Sequence, residues 1–247
     1  MIGEFKAGLQ DSLGSRELYT ALGNEAAVAK AHILEGNLHF GWGDFESVLA
    51  SFNEGLDMRR KLGDRKGEAG ALGSIGVVFD EMKHWKEARR YHMESLDISR
   101  GLGDRIFEAR TLNNLEETNL NLGNKVVAAE SCNAALVIFQ EFGELVEQVN
   151  VHNNLGRIAH ADGRYEAAKL SFARALAGGL ALGLAIARAA SRFYLARLLA
   201  DDKSPVFSLP DAISALQAVL KETVVLEAPN LEADIKRELA AALACTG

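Results

Sequence analysis

Proline is nearly missing from this chain: Pro205, Pro210 and Pro229 are the only three, and all lie past residue 200. Proline interrupts a helix by removing a backbone donor and clashing with the preceding turn, so helical structure can run unbroken before that point. Cysteine is scarcer still. Cys132 and Cys245 lie far apart in the sequence, which excludes a disulfide framework and suits a reducing compartment. No apolar run reaches the ~18 residues of a membrane span. Residues 1–10 carry charges and glycines where a signal peptide needs an apolar core. Clustered basic charge is lacking too. The 27 Lys and Arg residues are outnumbered by 34 Asp and Glu, for a net charge of −7, the wrong sign for displacing counterions from nucleic acid. A cytoplasmic protein with no nucleic-acid and no membrane partner is expected.

What the chain has in abundance is repetition. Leu22-Gly23-Asn24, Leu62-Gly63-Asp64, Leu102-Gly103-Asp104, Phe142-Gly143-Glu144 and Leu182-Gly183-Leu184 recur every 40 residues. A fixed period of this length marks a repeat architecture. Glycine ends a helix in the left-handed conformation, and the Asp or Asn after it caps the next helix through its side-chain oxygen. The fifth corner, Gly183-Leu184, lacks that oxygen and is expected to be looser. A second echo lies between: Gly3-Glu4-Phe5, Gly43-Asp44-Phe45, Lys83-His84-Trp85, Gly123-Asn124-Lys125 and Gly163-Arg164-Tyr165. Each reads as a turn before a helix. The unit is therefore two helices of four to five turns.

In chain order, residues 3–21 read as the second helix of a half repeat, or as an N-terminal cap. Opening in mid-repeat favours a piece of a longer protein, with residues 1–4 an addition to the repeat. Four full repeats occupy 25–182, with first helices near 25–42, 65–82, 105–122 and 145–162 and second helices near 44–62, 85–102, 125–142 and 165–182. A fifth, irregular repeat covers 185–227, with Ser208 as the candidate cap of its last helix, and a capping helix covers 230–245. That makes about twelve helices, no strand, and one repeat domain over 1–247. Gly36, Gly76, Gly156 and Ala196 recur within first helices, where small residues let helix axes approach closely.

Few residues suggest chemistry. The histidine pairs His32/His39 and His152/His160 are too far apart along their helices to share a metal ion without other ligands. No catalytic triad or phosphate loop is present, and Gly73/Gly76 falls inside a helix. No enzyme activity, cofactor or metal is expected. Glu116 stands where other repeats have Gly36, Gly76 and Gly156. It either snorkels out of a splayed repeat or joins a polar cluster with Asn113, Asn114, Glu117 and Asn119. The pairs Asn113-Asn114 and Asn153-Asn154 also recur at the period. Asparagine is a mediocre helix former but can both donate to and accept from a peptide backbone.

The small residue of each first helix, the following turn, and the Ala-containing second helix resemble the tetratricopeptide repeat in its 40-residue variety. The strings Leu62-Gly63-Asp64-Arg65, Leu102-Gly103-Asp104-Arg105 and Asn153-Asn154-Leu155-Gly156 look like repeats of Pins-type adaptors, and similar units occur in kinesin light chains and bacterial tetratricopeptide regulators. The resemblance implies an all-α, right-handed α-solenoid of helix–turn–helix repeats. It also implies a concave groove, lined by first helices, that binds a peptide segment of a protein partner. Carried over by position, that groove comprises Lys30, Asn37, Arg110, Asn113, Asn114, Glu117, Asn150, Asn153, Asn154, Arg157, Tyr194 and Arg197, with Ser74 nearby. The Lys/Asn/Asn/Lys/Arg set of the chaperone-binding subfamily is not supplied, which argues against a co-chaperone. Arg110, Arg157 and Arg197, with Arg188 and Arg192 close by, favour an acidic segment, unless those arginines pair with acids of adjacent helices. The expected function is a non-catalytic protein-interaction scaffold. The alternative is a sensor domain excised from a larger bacterial transcription or signalling protein, taking a small ligand or signalling peptide.

Overall fold

Asn24, Asp44, Asp64 and Asp104 each accept a hydrogen bond from the backbone N–H three residues on, at Ala27, Ser47, Gly67 and Phe107, over 3.1, 3.2, 2.9 and 3.1 Å. These caps satisfy donors that a helix start otherwise leaves orphaned. The corner before each cap is made by glycine. At the third, Gly63 has φ 68°, and the N–H groups of Gly63 and Asp64 fold back onto the carbonyls of Arg60 and Arg59 at 3.1 and 2.9 Å. The same stop recurs at Gly183 without a capping oxygen. The Gly183 and Leu184 N–H groups still reach Leu180 and Gly179 at 3.3 and 2.8 Å. The expected looseness of that corner is therefore not found, because backbone bonds close it unaided.

The computed structural model describes residues 2–245, so residue 1 of the expected addition at 1–4 lies outside the described residues. Twelve α-helices and no strand occur among the described residues: α1 (Ile2–Ala21), α2 (Glu25–Phe40), α3 (Phe45–Lys61), α4 (Arg65–Glu81), α5 (Trp85–Leu102), α6 (Arg105–Asn121), α7 (Lys125–Glu141), α8 (Leu145–Ala161), α9 (Tyr165–Ala181), α10 (Ala185–Ala200), α11 (Leu209–Val225) and α12 (Pro229–Ala244). One expected turn is absent, since α1 runs straight through residues 3–5. Ser208 flanks α11 as expected, but its hydroxyl donates to the Asp211 carboxylate at 2.7 Å and makes no bond to the helix backbone.

The chain divides into two compact units, Met1–Asn124 and Lys125–Gly247. In the first, α1 to α6 pack in sequence around a core of Val48, Phe52, Leu56, Leu72, Ile75 and Val78. In the second, α7 to α12 pack in sequence, with α10 also against α8 and α12. Its core holds Phe172 and Leu198 at one level and Phe193, Leu216 and Ile235 at another. The helical glycines are explained by what they face. A Cβ on Gly36 would lie 2.4 Å from the Phe52 ring, one on Gly76 2.5 Å from His92, and one on Gly156 2.3 Å from Phe172. Glu116, at the same register of α6, is 0% exposed, so it does not snorkel to solvent.

Candidate functional site

The first helices carry the predicted groove residues, and the structure sorts them into different roles. In the first unit, Lys30 and Asn37 are exposed on α2, and Lys30 lines a cavity of about 450 Å3 together with Ser12, Ser15 and Tyr19 of α1. The matching positions of α4 are small or neutral, at Gly70, Gly73, Ser74 and Val77; Ser74 donates its hydroxyl to the Gly70 carbonyl at 3.1 Å. On α6, Arg110 and Glu117 are exposed while Asn113 and Asn114 are half-buried. These four form one stripe, because residues three and four apart share a helix face.

In the second unit the predicted set divides. Asn150, Asn154 and Arg157 lie on one face of α8. The Asn150 amide donates to Glu147 at 3.4 Å, and Arg157 Nη1 donates to the Asn154 side-chain oxygen at 3.3 Å. Asn153 is not a groove residue of this kind. It is 6% exposed, and its Oδ1 accepts from the Ser191 hydroxyl of α10 at 2.9 Å, so it knits two consecutive first helices together. Tyr194 is half-buried and stacks on Phe172, with centroids 5.2 Å apart.

The arginines of α10 have acids of their own. Arg188 Nε and Arg192 Nη1 donate to the two oxygens of Glu222 on α11, at 3.0 and 2.8 Å. Burial pushes the Glu222 carboxyl up, but the hydrogen bonds from Arg188 and Arg192 outweigh it and hold the group below its ordinary value. Arg197 pairs with Glu238 of α12 at 3.3 Å and lies over the Phe193 ring. The expectation of a basic face on α10 is thereby narrowed: three of its arginines are matched by acids from the last two helices.

Sequence reasoning missed a polar relay in the first unit. His92 of α5 is fully buried, and its Nε2 donates to Asp80 Oδ2 of α4 at 2.8 Å. The other oxygen, Oδ1, accepts from the Thr118 hydroxyl of α6 at 2.8 Å. One signal was available, since His92 occupies the register of Phe52 and Phe172 opposite a helical glycine. A comparable link in the second unit joins His160 Nε2 to Asp201 at 2.8 Å. His32 Nδ1 lies 2.9 Å from Glu54. Among the described residues no group of three or more His, Cys, Asp or Glu side chains could hold a metal ion, and no helix is long and apolar enough to cross a membrane.

No protein-family model matches the chain, and no curated protein matches it. Solved structures do share its fold. BtubC (BKLC) from P. vanneervenii superposes with a TM-score of 0.65 at 17% identity, over 98% of this chain and 92% of that one. A Rap protein complexed with Competence and Sporulation Factor gives 0.68 at 17% identity, over 97% and 70%. The signal-transduction ATPase PH0952 of Pyrococcus horikoshii, which has a tetratricopeptide repeat sensor, gives 0.68 at 16% identity, over 90% of this chain and 34% of that one. At such identities the likeness is one of fold: an all-α stack of tetratricopeptide-type helical repeats.

Proposed function

We propose that this tetratricopeptide-type chain is a non-catalytic protein-interaction module that holds an extended partner segment along the first helices of its repeats. One observation carries the reading. Asn150, Asn154 and Arg157 form a polar stripe at i, i+4 and i+7 on α8, and the buried Asn153–Ser191 bond holds α10 beside it. Side-chain amides match the donors and acceptors of a peptide backbone, and a guanidinium fork suits a carbonyl or carboxylate. No acidic preference is assigned to α10, because Glu222 and Glu238 already offset its arginines. The Rap protein crystallised with its factor is a precedent for a factor held by this fold. Only two cysteines, Cys132 buried and Cys245 exposed, fit a reducing compartment such as the cytoplasm.

The second reading, a sensor domain taking a small ligand, is favoured by the likeness to the PH0952 sensor. One experiment separates the two. A random peptide library is selected on the 247-residue chain, and bound clones are mapped by hydrogen exchange. Protection of α8 and α10, with affinity lowered about tenfold by Asn154→Ala/Arg157→Ala, supports the proposal, since a charge-assisted hydrogen bond contributes about 1.5–3 kcal/mol. Protection confined to α7 and α9, or no selected peptide while metabolite-sized compounds shift the melting temperature, overturns it.

A further inference from the structure

The end of α4, the turn after it, and α6 enclose a cavity of about 270 Å3 lined by Asp80, Glu81, Lys83, Trp85, Asn114 and Glu117, with Val77 at its wall. Its central acid is held rigidly. His92 and Thr118 each donate to one oxygen of Asp80. The His92 ring packs directly on Gly76, where even a Cβ would meet it at 2.5 Å. A carboxylate has about four acceptor sites, so Asp80 retains one on each oxygen for a further donor. Lys83 is the single cation among these lining residues, against three carboxylates.

Resting on the reading above that first helices hold a partner segment, we infer that this cavity of the first unit takes a lysine or arginine side chain of a segment laid along α4 and α6. Lys83 opposes a second cation, and the other five polar and aromatic groups, three of them carboxylates, outweigh it. The Trp85 ring attracts a cation to its face, Asp80 and Glu81 accept its N–H bonds with charge assistance, and Asn114 can add a neutral acceptor. The volume equals about nine water shares of ~30 Å3 each, room enough for the heavy atoms of an arginine side chain. An acidic side chain would bring like charge against Asp80 and Glu81. An apolar one would take those carboxylates from water and give them no partner.

The test titrates the full chain with N-acetyl-argininamide, N-acetyl-lysinamide and the amide of N-acetyl-glutamate, reading the Trp85 indole N–H by NMR, with Trp42→Phe to assign it. The two cationic amides move the Trp85 signal to saturation and the glutamate derivative does not. Glu81→Gln weakens the cationic amides about threefold, the scale of one exposed ion pair, and Glu81→Lys abolishes the response. Both changes fall on an exposed residue outside the buried relay, so an unchanged melting temperature accompanies them. Equal response to the acidic derivative, no response at Trp85 to any of the three, or indifference to Glu81→Lys overturns the inference. Selected segments that protect the first helices with no preference for Lys or Arg overturn the pocket and leave the groove reading standing. Cationic amides that titrate Trp85 while no segment binds the first helices do the reverse.

Discussion

Asp201, just past the end of α10, shows how one residue holds a long connection. Its carboxylate accepts from His160 Nε2 at 2.8 Å and from the Lys203 backbone N–H at 3.0 Å. Burial raises its pKa, but the bonds from Lys203, His160 and Tyr165 prevail and set it below the ordinary value. On the other side, burial and then the Asp201 charge raise the Tyr165 hydroxyl. A carboxylate with a depressed folded-state pKa stabilises the fold above its unfolded value, ~3.9, and that contribution is lost as pH falls through the folded value. Asp201→Asn is therefore expected to destabilise the protein by about 1 kcal/mol at neutral pH, with the difference from wild type shrinking as pH drops below ~4. Thermal melts of both proteins across that range check it; a constant gap at all pH values would refute the electrostatic account. Residues of this sort were not legible beforehand. His160 and Asp201 are 41 apart in sequence, and the packing of α10 against α8 brings them together.

At the level of the element, the turns and caps were legible because they are local: a glycine and an Asp three residues before the N–H it caps can be read from a string. The lateral contacts were not. Lys66 with Asp104, Thr118 with Asp80, and Ser191 with Asn153 all join consecutive first helices at a separation of 38 residues. The period of 40 aligns equivalent positions, whereas the contact between neighbours is set by how the helices cross, two residues out of register. That offset turned Asn153 from an expected groove residue into a buried strut, while Asn154 beside it stays on the face. The strut has a measurable weight. Ser191→Ala leaves the buried Asn153 oxygen without that donor and is expected to cost about 1–3 kcal/mol. Asn153→Ala should cost a similar amount, and the double variant less than the sum, because both single changes break one bond. Denaturant melts of the four proteins check this; full additivity would mean that the two side chains do not depend on each other.

For the molecule as a whole, the all-α repeat fold was the most legible feature, because a period is a global property that survives local exceptions such as Glu116 or Lys83. What the period could not show is how the last three helices complete the second unit. The α10 to α12 segment supplies Phe193, Leu216, Val219 and Ile235 to one core cluster, while Leu198 reaches back to Phe172 of α9 in another. It also carries both partners of the Arg188–Glu222 and Arg197–Glu238 pairs, so deleting it strands neither of those charges, although it takes Asp201 away from His160. Repeat proteins are held by interfaces between neighbours. A chain cut after Leu182 keeps Phe172 and Ala168 but loses the Leu198 and Tyr194 side chains packed on them. Losing several kcal/mol of such burial lowers a melting temperature by about 10 °C in a protein of this size. The truncated chain is accordingly expected to melt earlier, or to aggregate through the bared face of α9, at concentrations where the whole chain stays dispersed. Calorimetry with light scattering on both proteins checks it. Equal melting temperatures and equal scattering would mean that α10 to α12 add an appendage to a unit already complete at α9, and that the buried Asn153–Ser191 strut joins parts that are stable without it.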